Sequence, residues 1–220
     1  MTAEVGFIGD VKNYGLVPSL RAKFLHSLRR FFDFEFCVLL MNSGKPYEFD
    51  LPAEIPVEAV ACPEEFHTTL HEQVPEIDYA WAFKRGDQCI VNKHDGVIVG
   101  YEFSTNLPTP VNDGIEIFFP EWCGYGYASF TAPAYRGQRL AKHRWPESRR
   151  QKTLKHGTPP REVFYINLKN LAGLKSDAAD GVPSLRLGYG LWLRLFGRYW
   201  CWNSRAARRN GIGFRSAHFR

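Results

Sequence analysis

The sequence predicts a mixed α+β fold built on a mostly antiparallel sheet. The order of elements predicts it: a helix and strand, then an antiparallel hairpin, two further strands, a basic helix, a strand and a group of closing strands. The missing dinucleotide signals agree, since the chain lacks regular βαβ alternation, a Gly-x-Gly-x-x-Gly turn and a Walker lysine loop. With 220 residues, 45% of them hydrophobic and 15% aromatic, there is enough apolar surface for a sizeable core.

Taken in order, Ser19 to Phe32 reads as a helix capped by Ser19, with Leu20, Phe24, Leu25, Leu28, Phe31 and Phe32 at helical spacing. Phe36 to Met41 is a buried strand, the Pro-rich stretch from Lys45 to Pro63 a connection, and Glu64 to Gln73 a short helix. Gln88 to Asn92 and Val97 to Ser104 flank Lys93-His94-Asp95-Gly96, and Asp-Gly between β-rich runs signals a hairpin. Ile115 to Phe119 and Tyr125 to Thr131 are strands; Gln138 to about Lys155 is a helix broken near Pro146; Glu162 to Leu168 is the next strand. A loop at Ser176 to Pro183 leads to one helical turn at Ser184 to Tyr189. Two strands close the chain, Leu191 to Trp202 and Ile212 to Phe214, joined across Arg209-Asn210-Gly211. The division expected is an N-terminal helix and strand portion over 1–78 and a core over 79–220.

Charge is distributed unevenly. Up to Tyr125 there are nine Lys/Arg against nineteen Asp/Glu; from Gly126 onward nineteen basic residues face four acidic ones, and after Asp180 eight Arg face none. Such a rear half suits anions: phosphorylated cofactors, nucleic acid or anionic lipid. The five cysteines are scattered and read as buried thiols, and no His/Cys spacing suggests a metal. No signal-like or membrane-spanning run stands out, so a cytoplasmic location is the expectation.

The chemistry concentrates where the strand Tyr125 to Phe130 runs through Thr131-Ala132-Pro133-Ala134-Tyr135 into Arg136-Gly137-Gln138-Arg139-Leu140-Ala141 and a basic helix. Unpartnered amides and the helix dipole make such a start a place to hold a pyrophosphate. Together with the hairpin and the later strand ending in Asn, this segment resembles the GNAT acyltransferase superfamily over roughly Tyr79 to Phe214. The resemblance implies a GNAT-like α+β fold with a central sheet flanked by helices, and acetyl-CoA as acyl donor. Arg136 to Ala141 then match Gln/Arg-x-x-Gly-x-Gly/Ala, with Arg139 at the place of the first signature glycine and its backbone expected to be helical. By the same resemblance Ser129, Phe130 and Thr131 bind the pantetheine arm, Asn167 or Asn170 contacts the cofactor, and Ser184 is the small residue opening the next helix.

Direct attack of an amine on a thioester needs a proton acceptor and a stabilised thiolate, and no covalent enzyme intermediate. Glu102 and Glu116 are the carboxylate candidates, with Glu121 behind them, and Tyr189 is a candidate proton donor. The function expected is transfer of acetyl from acetyl-CoA to the amine of a small molecule, or of a longer acyl group from CoA or an acyl-carrier protein. The other class is a basic nucleic-acid-binding module on a GNAT-like shell without catalysis. The aromatic and Arg-rich run from Leu191 to Trp202 fits core packing, or a surface for lipid or a partner.

Overall fold

The computed structural model describes residues 7–42, 57–60, 63–73, 79–141, 143–144, 147–148, 150, 161–179 and 184–217. The chain is mixed α+β with antiparallel strand pairing, and it divides into two compact units. The first comprises Met1–Ser43, Pro108–Pro120 and Val163–Arg220, the second Gly44–Leu107 and Glu121–Glu162.

In the first unit, α1 (Phe7–Tyr14) and α2 (Leu16–Leu28) precede β1 (Asp33–Met41). Gly15, rather than Ser19, is the N-cap of α2, and Pro18 sits in its first turn, where a missing N–H costs nothing. Ser19 lies inside the helix and its Oγ donates to the Gly15 carbonyl at 2.7 Å. The helix ends at Leu28, short of the expected Phe32, and the chain turns over Phe31 into the strand. β1 is flanked on both edges, pairing antiparallel with β8 (Arg161–Asn167), which joins this unit at Val163, and with β9 (Leu185–Leu195). Every residue from Cys37 to Met41 is buried, which explains why this run is apolar without alternation. β9 continues through a turn at Phe196 and Gly197, both at positive φ, into β10 (Arg198–Asn203). The strand order is therefore β10-β9-β1-β8.

Two expectations fail in this unit. The segment expected to be a helical turn, Ser184 to Tyr189, is the start of β9, so Ser184 opens no helix; and the run from Leu191 to Trp202 is two strands of a hairpin rather than one. The expected Ser176 to Pro183 loop begins inside a helix, α6 (Leu171–Ala179). A short helix α7 (Arg205–Arg209), capped by the Ser204 side chain, fills part of the final connection. A three-stranded sheet completes the unit, in the order β11 (Gly213–Ser216), β6 (Ile115–Phe118), β5 (Thr109–Asn112). The main core joins Leu25 and Leu28 of α2 to Phe34, Val38 and Leu40 of β1 and to Leu168.

In the second unit, β7 (Cys123–Thr131), β4 (Val97–Thr105), β3 (Gln88–His94) and β2 (Val57–Val60) lie side by side, all antiparallel. The β3–β4 hairpin turns at Asp95 and Gly96 with φ of +50° and +80°, as the Asp-Gly pair predicts. One face is covered by α3 (Pro63–Thr68) and α4 (Ala80–Arg85), whose Phe66, Phe83 and Ala82 join Tyr79, Tyr101 and Phe103 in an aromatic core. Its rings meet mostly edge to face, with Phe66 and Tyr101 centroids 5.2 Å apart. Residues Leu140, Ala141, His143, Arg144, Glu147, Ser148 and Arg150 are helical and are called α5 here; Leu140 packs on Val99. The expected continuation of this helix from 151 to 155 lies outside the described residues, as does Cys62. Of the other thiols, Cys37, Cys89 and Cys123 are buried and Cys201 is half-buried. Burial pushes the Cys123 thiol up to about 11.

Candidate functional site

The site is built on the β4–β7 pair. Tyr101 faces Phe130 and Phe103 faces Tyr127, so Glu102 alone stands opposite both Ala128 and Ser129. This is a β-bulge, and Ala128 takes a φ of +51° to make it. The extra residue breaks the ladder and leaves Ser129 exposed in a strand that is otherwise buried or half-buried.

Beneath the bulge lies Arg144 of α5, fully buried. Its Nη1 donates to Asn92 Oδ1 at 2.6 Å and its Nη2 to Ser129 Oγ at 3.1 Å. Its Nε stands 4.0 Å from Glu102 Oε2. The guanidinium passes over Gly100, where an added Cβ would come within 2.6 Å of Nη1, so only glycine leaves room for it. Burial pushes the Arg144 guanidinium below its ordinary value and Glu102 draws it back up. A buried arginine and a buried carboxylate offset each other's desolvation, and the pair pins α5 to the bulged strand.

Beyond the bulge the chain leaves the sheet. The Ala132 N–H donates to the Val99 carbonyl at 2.8 Å, a 3₁₀ turn covers Pro133–Tyr135, and α5 begins at Leu140. The turn is held from three sides: the Ala134 N–H donates to Gln73 Oε1 at 3.1 Å, the Tyr135 hydroxyl meets His94 Nδ1 at 3.3 Å, and the His71 ring lies edge-on to Tyr135. Arg136 folds back, its Nε donating to the Thr131 carbonyl at 3.1 Å with its guanidinium 5.7 Å over the Phe130 ring.

Between these anchors residues 136–139 are exposed. Gly137 has φ of +86° with no atom within 4 Å of where a Cβ would stand, and Arg139 has φ of +58°. The expectation of a helical Arg139 is thus corrected: the helix starts at Leu140, not Gln138, and Arg139 is left-handed, a conformation that glycine enters without strain and arginine does not. Among the described residues, the N–H groups of Gly137, Gln138 and Arg139 have no backbone partner. Three unpartnered amides, two of them on left-handed residues and followed at once by a helix start, are donors available to an anion.

Ser129, Phe130, Thr131, Arg136, Gly137, Gln138, Arg139, Leu140 and Ala141 all belong to the second unit with Glu102, while Glu116, Asn170 and Tyr189 belong to the first. Glu116 on β6 pairs with Arg215 across the three-stranded sheet. Tyr189 on β9 packs against Phe36 with ring centroids 5.9 Å apart and accepts from Arg186 Nη1 at 3.2 Å. Asn167 and Asn170 serve the backbone that follows them, their Oδ1 atoms accepting from the Lys169 and Gly173 N–H groups. Asn170 also borders an open cleft of about 650 Å³ in the first unit, with Tyr14, Lys23, His26 and Lys169. Among the described residues no three His, Cys, Asp or Glu cluster as a metal site. Nothing in the residue pattern singles out Arg144, one of eight basic residues between 136 and 156; only Gly100, a glycine inside a strand, hints at a close approach.

No family model and no curated protein matches the chain. Among solved structures, a Drosophila protein superposes with a TM-score of 0.50 at 13% identity, over 80% of this chain and 58% of its own. That superposition shows a shared fold. A protein of Novosphingobium aromaticivorans assigned to the GNAT acetyltransferases aligns at a TM-score of 0.49 and 14% identity, over 72% of this chain and 63% of its own. A GNAT-family acetyltransferase of Colwellia psychrerythraea aligns at 0.48 and 12%, over 76% and 59%. The chain thus spans about six-tenths of the length of the structures it matches.

Proposed function

We propose that the chain is an acyl-CoA-dependent acyltransferase, moving acetyl from acetyl-CoA to the amine of a small molecule. One observation carries this reading: a bulged strand running into three unpartnered amides, two of them on left-handed residues, immediately before a helix that is bolted to the same strand through Arg144. The amides of Gly137 to Arg139 would hold the diphosphate, with the open space at Gly137 admitting it and the exposed Arg139 adding charge. The break at Ala128 and Ser129 frees backbone groups of β7 for the pantetheine amides. Acetyl-CoA supplies an activated thioester, so the protein need form no covalent bond of its own.

Its remaining work is to orient the amine and take its proton. Glu102, beside the bulge in the same unit as the loop, is the proposed carboxylate; Tyr189, in the first unit against Phe36 and Arg186, is given no part in it. A longer acyl group delivered by an acyl-carrier protein is the variant that the eight basic residues between 136 and 156 favour in sequence. A second reading, nucleic-acid binding without catalysis, draws on the eight arginines after Asp180 and has no use for the amide loop.

Thermal unfolding with CoA, acetyl-CoA and single-stranded oligonucleotides decides among them. CoA at about 100 times its Kd raises stability by about 2.7 kcal/mol. Thiol release over an amine panel then reports turnover. A melting temperature indifferent to every CoA species and raised by oligonucleotide would reject the acyltransferase reading.

A further inference from the structure

The first unit carries a second surface, which the acyl-transfer reading does not use. Directly opposed residues of antiparallel strands share a face, so Phe34, Leu193 and Trp200 form one row across β1, β9 and β10, and Phe36, Leu191 and Trp202 form the next. Leu25 and Leu28 of α2 cover the inner end of this apolar face. At the edge strand nothing among the described residues covers it: Trp200 is 60% and Trp202 51% exposed, and Phe196 at the hairpin tip is fully so. Register places Asp33 opposite Arg194, so the α2–β1 junction with exposed Phe31 and Phe32 lies at the same end of the sheet as that tip. The outer side of α2 adds exposed Leu16, Val17, Leu20 and Phe24, a stripe at helical spacing. Helical geometry sets Arg21 and Lys23 on its two sides.

The charge on this surface has one dominant sign. From Leu16 to Phe32 there are four Lys/Arg and no carboxylate, and Arg198, opposite Leu195 on the same face as Leu193, adjoins the exposed Phe196, while Arg194 lies on the other face over the Tyr199 ring. The acids nearby are Asp10 of α1, which borders a cleft with Lys23; Asp33, which is exposed; and Glu35, already paired with Arg29 at 3.4 Å. Exposed aromatic and aliphatic side chains bordered by arginine and lysine are what a helix and hairpin lying in a lipid interface present: rings at the headgroup level and cations on the phosphates. No helix among the described residues is long and apolar enough to cross a membrane, so this would be contact from one side. A nucleic acid would stack on the tryptophans but leave the aliphatic stripe of α2 unburied.

We infer that α2, its junction with β1 and the β9–β10 hairpin together form a docking surface for an anionic lipid bilayer. The test is flotation of the full chain with phosphatidylcholine vesicles, with and without phosphatidylglycerol, read alongside tryptophan emission. Binding to the anionic vesicles alone, weakened by salt and accompanied by a blue shift, is the expected result. Phe196→Ser and Phe31→Ser should each weaken it about tenfold, and Arg30→Gln and Arg198→Gln about fivefold each, all with unchanged melting because these side chains are exposed. Vesicle binding unaffected by these four changes overturns the inference. So does a self-associated form that hides Trp200 in sedimentation equilibrium, or an oligonucleotide that binds while both vesicle types do not. CoA-dependent stabilisation is measured separately, so failure here leaves the acyl-transfer reading standing.

Discussion

The two units treat their aromatic residues in opposite ways. In the second, Phe66, Tyr79, Tyr101 and Phe103 interlock beneath two short helices, and outside that core only Trp122 and, in part, Trp81 stay exposed among its described aromatics, beside a polar loop of strained backbone. In the first, two helices cover only part of a four-stranded apolar face, and Trp200, Trp202 and Phe196 face outward. The difference lies in cover rather than composition: the same residue types become core where a helix lies over them and surface where the sheet outruns its helices.

The sharpest way to break this contrast is to truncate one ring on each side. Phe103→Ala should cost about 3–5 kcal/mol in urea unfolding, through a cavity among rings that cannot close in. Trp200→Ala should stay within about 0.5 kcal/mol, as a surface change does. Comparable losses would mean that Trp200 is covered in solution.

Next in size, Arg144→Ala removes a fully buried guanidinium with its bonds to Asn92 and Ser129 and should cost about 3 kcal/mol. It should also weaken CoA binding, since α5 loses its tie to Ser129. Arg144→Lys restores charge without the fork to Asn92 and Ser129, and should recover only part of either effect.

Arg139→Gly tests the loop itself. It should stabilise the fold by about 1 kcal/mol by relieving a left-handed arginine, while lowering CoA affinity at low salt through the lost charge. A gain in both stability and affinity would show that the guanidinium obstructs the amides.

The smallest effect concerns the thiols. Cys123 titrates near 11 when folded against an ordinary 9.0, so the folded state holds its proton longer. Its contribution is intact below pH 9 and fades as pH climbs toward 11, so the urea midpoint should fall between pH 8 and pH 10. At neutral pH, peptide mapping of alkylated thiols should find Cys201 labelled ahead of Cys37, Cys89 and Cys123.

Sequence reasoning reached the features that local chemistry determines. Asp95-Gly96 forces its hairpin, and the unbroken apolar run Phe36 to Met41 marks a strand enclosed on both sides. It failed where long-range packing decides. The stretch from Leu185 to Tyr189 is short and carries a glycine, and becomes strand only because β1 offers it a partner. Arg139 reads as an ordinary helix former, and only the geometry of the loop makes it left-handed. Of the site, a turn between strand and helix was legible from Pro133 and Gly137, whereas the bulge at Ala128 and the buried Arg144 follow from how β4 and β7 happen to register.

The placement of β1 also has a consequence for biogenesis. This strand leaves the ribosome before both its neighbours, which are encoded more than a hundred residues later. At ~5–20 residues per second the nascent chain would carry Phe36 to Met41 unpaired for several seconds or longer. A sticky, β-prone hexapeptide left waiting that long is a natural chaperone client, and the step most exposed to aggregation when the protein is overproduced.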